Sequence, residues 1–175
     1  TASPVSPGRG SITVPNGTNA MDTAPTVAGQ KSTIKSSDGT TVDYFLSDTG
    51  NGSAGTGHVA HLGVVNAGDT LDNSITAALT SGAKGIAVGF DFSAGSSTQN
   101  NFLVLLKQAI EHENGHGGKI IVSSVPAPTA NADTITLTQS QAEDIKLDKV
   151  SPRPATGPNG NKLITSTIGL ISVSG

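Results

Sequence analysis

Cysteine is absent from the chain, which excludes a disulfide framework and any thiolate metal site. Aromatic residues make up 3% and hydrophobic residues 34%, so a core exists but is small. Charged residues are scarce at 13%, about half the usual share. There is no basic run, and the formal net charge is −3. Phosphate binding needs clustered Lys and Arg, so nucleic acid is not an expected partner. No apolar stretch reaches the length of a membrane span. Gly, Ser, Thr, Asn and Ala fill the space left by these absences. That palette belongs to extracellular surface proteins and β-rich assemblies more than to cytosolic enzymes. The chain begins at Thr1 rather than Met, which reads as a processed N-terminus after removal of a secretion signal, and so predicts an extracellular protein. Asn16-Gly17-Thr18 and Asn51-Gly52-Ser53 fit the N-glycosylation acceptor pattern, making Asn16 and Asn51 candidate attachment sites.

The most structured stretch runs from Val59 to about Val125 and reads as strand, helix, strand, helix, strand. The run 58–65 has strand length and is followed by the turn-rich Asn66-Ala67-Gly68-Asp69. Asp69 or Thr70 is placed to cap a helix. Leu71, Ile75, Ala78 and Leu79 fall at i, i+4, i+7 and i+8, one helical face, and Ser81-Gly82 ends that helix. Gly85 to Phe90 is a continuous apolar run, as in a strand buried on both faces. Phe102, Leu103, Leu105, Leu106, Ala109 and Ile110 mark a second amphipathic helix that ends near Asn114-Gly115. Residues 119–125 form the third strand. Alternation of this kind predicts an α/β fold, a small parallel sheet with two helices resembling half of a flavodoxin-like domain.

The runs 74–89 and 119–125 resemble the C-terminal domain of bacterial-type L-asparaginases. In that family a helix ending in Gly-Ala-x-Gly-Ile leads into a buried strand, as at Gly82-Ala83-Lys84-Gly85-Ile86, and a later strand ends in Ser-Ser or Ser-Arg, as at Ser123-Ser124. The resemblance covers roughly residues 58–130. The family's nucleophilic Thr-Gly-Gly-Thr-type motif and its second threonine-aspartate-lysine cluster are missing. Its Gly-x-Gly-Asn loop is replaced by Gly89-Phe90-Asp91-Phe92. The resemblance therefore implies a retained scaffold without the chemistry, and fold alone does not license an activity.

The flanks differ from this block. Residues 1–30 carry Pro4, Pro7, Pro15 and Pro25, with only Ser11-Ile12-Thr13-Val14 resembling a strand, and read as an extended arm. Residues 31–150 read as the α/β domain. It opens on a β-hairpin, because Asp38-Gly39 lies between the β-formers of 31–35 and 40–46. Within it, 133–138 alternates strictly and reads as a strand, and 140–145 as a helical turn or two. Residues 151–175 comprise a proline-rich linker and a C-terminal β-arm, with Leu163, Ile164, Ile168, Leu170, Ile171 and Val173 available for burial. Such an arm either returns to its own domain or pairs with the sheet edge of another copy by strand addition. A head-to-tail contact that does not close propagates into a fibre.

The four histidines fall in two pairs, His58 with His61 and His112 with His116. The second pair sits in His112-Glu113-Asn114-Gly115-His116. In zinc peptidases this spacing places two imidazoles on one helical face with the glutamate as general base. The chemistry needs the helix to continue through both histidines, and Asn114-Gly115 sits where a helix should stop. All four histidines are candidate metal ligands at the N-terminal strand ends. The opposite edge, where α/β sites usually lie, holds Asp91 and Ser123, placed to hydrogen-bond a small polar ligand. No histidine or lysine is positioned there to activate a serine.

The expectation is a secreted, non-catalytic structural subunit that assembles with itself into an extracellular filament or surface layer, without cofactor. The alternative is a small secreted hydrolase. It would be either a degenerate asparaginase-like amidohydrolase or a zinc peptidase built on His112, Glu113 and His116.

Overall fold

The computed structural model describes residues 7–18, 31–36, 38–48, 63–71, 75–90, 98–140, 146–150 and 165–167. Its elements are β1 (Arg9–Val14), β2 (Lys31–Lys35), β3 (Thr41–Asp48), β4 (Val64–Val65), β5 (Thr70–Leu71), β6 (Ile75–Thr76), β7 (Lys84–Phe90), α1 (Gln99–Glu111), β8 (Ile120–Val122), β9 (Asp133–Gln139), β10 (Lys146–Val150) and β11 (Thr165–Thr167). They form a four-stranded sheet in the order β11-β1-β9-β8, a five-stranded sheet in the order β10-β2-β3-β7-β4, and the small β5-β6 pair.

The fold is therefore mostly β, and the expected flavodoxin-like parallel sheet with two helices is overturned. Among the described residues α1 is the one α-helix, and β3 with β7 is the one parallel pair. The helix expected after Asp69 is replaced by an antiparallel pair, with Thr70 opposite Thr76 and Leu71 opposite Ile75. Asp69 does not cap a helix. Its carboxylate accepts from the Asn66 N–H at 2.7 Å and so closes the preceding turn. Ala77 is buried and Ala78 exposed, a period of two rather than 3.6. Without a helix to carry the chain across, β4 meets β7 antiparallel, since parallel neighbours need a long crossover. The third strand of the expected sheet, β8, lies in the other sheet, antiparallel to β9.

The expected hairpin is present: β2 and β3 pair antiparallel, with Ile34 opposite Val42. Gly39 takes a φ of 88° in its turn, a conformation that glycine adopts without strain. α1 lies between the two large sheets. Phe102, Leu103, Leu105, Leu106, Ala109 and Ile110 pack with Ile12, Val14, Ile135 and Leu137 of one sheet and with Ile34, Tyr44, Ile86 and Val88 of the other. The far face of the five-stranded sheet holds a second cluster, Phe45, Val65, Leu71, Ala77 and Ala87. Burial on both faces explains the unbroken apolar run of β7.

Candidate functional site

α1 stops at Glu111, and His112 follows as an extended C-cap with φ −68° and ψ 151°. The chain then turns back on the helix end. The His116 N–H donates to the Ile110 carbonyl at 2.9 Å, and a side chain at Gly115 would meet the Ala109 carbonyl at 2.1 Å. The helix required by a zinc-peptidase pair thus ends before its first histidine. Nδ1 of His112 accepts from the Asn114 N–H at 3.1 Å. Glu113 is exposed. Among the described residues no three His, Cys, Asp or Glu side chains come together as a metal site. His58, His61, Asp91 and Asn51 lie outside the described residues.

His116 is 2% exposed. Its Nδ1 lies 2.6 Å from the Tyr44 hydroxyl, and its Nε2 is buried without a well-formed hydrogen bond. Burial pushes the imidazole pKa down to about 4. The Thr40 main chain and Asp38 pull it back, while Lys84 and Lys119 push the same way as burial. Burial pushes the Tyr44 hydroxyl upward. A neutral imidazole and a protonated phenol locked together in a core tie β3 to the turn that enters β8. They are not poised to exchange protons with a substrate.

A second polar group lies on the far face of the five-stranded sheet. Asp43 is fully buried. It accepts from Lys31 Nζ at 2.8 Å, Thr33 Oγ1 at 2.6 Å and the Thr80 N–H at 2.6 Å. Burial pushes this carboxyl upward, but Lys31, Thr33 and Thr80 together hold it below the ordinary carboxylate value. Lys31 also donates to the Ala78 carbonyl and stacks over the Phe45 ring. The group fastens residues 78–80 to the sheet.

A third group sits at the N-terminal end of α1. Asp133, nearly fully buried, accepts from Asn100 Nδ2 at 3.1 Å and Thr129 Oγ1 at 2.8 Å. The Gly17 carbonyl accepts the Asn100 N–H at 3.3 Å and so satisfies one of the free donors of the first helical turn. A Cβ on Gly17 would fall 1.6 Å from the Asp133 carboxylate, so this turn requires glycine. Asn16 Oδ1 accepts from both the N–H and the hydroxyl of Thr18. Ser123 is committed to the β8–β9 junction, where its Oγ accepts from the Thr136 N–H at 2.9 Å.

The sheet edges complete the inventory. At β8, Glu111 Oε1 accepts the Val122 N–H at 3.1 Å and Lys107 Nζ donates to the Val122 carbonyl at 2.8 Å. The two side chains pair with each other at 2.7 Å. At the opposite edge of the same sheet, β11 pairs antiparallel with β1. In the five-stranded sheet β10 covers β2 in the same way, with a register shift between Lys146 and Lys149. Of the expected assembly residues, Leu163, Ile164, Ile168, Leu170, Ile171 and Val173 lie outside the described residues and flank β11.

Compared with family models, curated proteins and solved structures, the chain finds no match. Sequence reading missed Tyr44, Asp43 and Asp133. For Asp43 a signal existed: a carboxylate in the middle of an apolar strand, placed opposite Thr33 by the hairpin register.

Proposed function

We propose that this chain is a non-catalytic structural subunit that assembles with copies of itself outside the cell. One observation carries the reading: the outermost strands on β1 and β2, the strands that would otherwise end the two large sheets, are β11 and β10, both drawn from the chain after Gln139. Strand addition supplies affinity through main-chain hydrogen bonds, and the same bonds serve equally well when the strand belongs to another copy. The buried polar groups support the reading from the other side. Asp43, Asp133 and Lys31 are used up in ties within the fold, and Nδ1 of His116 is bonded to Tyr44. Asn16 is part of the proposal as a carrier of an N-linked glycan.

Size-exclusion chromatography with light scattering and negative-stain electron microscopy on the native protein tests it. Regular multimers or filaments are the expected result. A homogeneous particle at the single-chain mass of 17.4 kDa overturns it.

A further inference from the structure

The two edges of the four-stranded sheet are finished differently, and this gives the proposed assembly a direction. At β8 the N–H and carbonyl of Val122 are both engaged by side chains of α1. An incoming strand would have to displace Glu111 and Lys107 and separate their ion pair before it could bond there, a common means of keeping an edge from pairing. At β1 the covering partner is a strand, with Ser11 opposite Thr167, Ile12 opposite Ser166 and Thr13 opposite Thr165.

That covering strand is far from its predecessor along the chain. Fifteen peptide steps separate Val150 of β10 from Thr165 of β11, enough to span roughly 50 Å when extended. β10 meanwhile sits on the other sheet. The intervening sequence includes Pro152, Pro154 and Pro158. A connection of this length is long enough to reach a neighbouring copy as well as its own.

Resting on the self-assembly reading above, we infer that the outer edge of β1, Ser11 to Thr13, is the acceptor for residues 165–167 of a second copy of this chain, and that the β8 edge is closed to strands. Each copy then has one donor strand and one acceptor edge in the four-stranded sheet. Contacts run head to tail, and the assembly closes into a ring or swapped dimer, or grows as a filament.

The absence of native cysteine makes disulfide trapping selective. Full-length Ser11→Cys and Thr167→Cys chains are unfolded, mixed, refolded together and oxidised. Directly opposed strand residues lie at disulfide distance. The expected result is a covalent dimer, at twice 17.4 kDa, in the mixture and not in either variant alone. The pair Thr13→Cys with Thr165→Cys repeats the test in the same register. Ile121→Cys mixed with Thr167→Cys should give no dimer, because that position lies on the closed edge. No dimer from either register-matched mixture, together with a doubly substituted chain that closes on itself as a monomer, overturns the inference. A dimer formed through Ile121→Cys overturns it as well. If light scattering still shows multimers in those cases, the acceptor assignment has failed and the self-assembly reading stands. If the protein is a uniform single-chain particle, both have failed.

Discussion

The two ends of the four-stranded sheet solve one physical problem in opposite ways. A sheet edge exposes unpaired N–H and carbonyl groups that template further pairing. At β8 two side chains one helical turn apart, Lys107 and Glu111, reach across and engage them. At β1 a strand from more than 150 residues further along the chain does so. The first solution is local and electrostatic, so it weakens with salt and adds little to stability. The second is a main-chain ladder. One edge is covered by side chains, and the other by a strand.

The largest effect that separates them is expected at Ile12, which is fully buried in β1 between β11 and β9. Ile12→Ala should cost about 2–5 kcal/mol, read as a lower urea midpoint, and should reduce multimer formation with it. Acid should act next, on the β8 side, because His116 opens the turn that leads into that strand. Its folded pKa of about 4 lies below the ordinary 6.5, so the unfolded chain binds the proton more readily. Stability is full above pH 6.5 and is lost as the pH falls toward 4, by about 3 kcal/mol in all. Asp43, held below its ordinary value of 3.8, adds to the loss only further into acid. Urea titrations across this pH range check the window; a flat profile between pH 6.5 and 4 would contradict the buried neutral imidazole.

Glu111→Ala should cost less, roughly 0.5–1 kcal/mol, since the ion pair is partly exposed and screened. Its signature is association rather than unfolding: with the Val122 N–H released, light scattering should rise with concentration, and new contacts should map to β8. Ile121, on the same strand but 54% exposed, gives the smallest effect. Ile121→Ala should stay within about 0.5 kcal/mol of the parent. A large loss there would mean that this side of the sheet is covered.

Much of the secondary structure was legible. α1, β7, β9 and the β2–β3 hairpin carry strong local signals: a long apolar stripe, a continuous apolar run, strict alternation, and Asp38-Gly39 between β-formers. The segment from Asp69 to Ser81 misled because Leu71, Ile75, Ala78 and Leu79 satisfy a helical period while Ile75, Ala77 and Leu79 satisfy a period of two. The burial of Ala77 and exposure of Ala78 show which period the chain follows. Asp72-Asn73-Ser74, between Leu71 and Ile75, is a run of turn-forming residues inside that segment. The fold class turns on this segment, since losing a crossover helix changes strand direction. The buried ties were less legible because they are long-range. Tyr44 meets His116 across 72 positions and Asn100 meets Asp133 across 33, and no local pattern announces either.

The register of β1 also fixes the order in which this molecule can be made. Ile12 lies opposite Ile135, so β1 leaves the ribosome well before its partner, which follows 123 positions behind it. At ordinary rates of synthesis that wait lasts roughly 6–25 s, while the β2–β3 hairpin closes within microseconds of emerging. During that interval both sides of β1 are open. Neighbouring nascent chains on the same message carry the same unpaired strand in the same state.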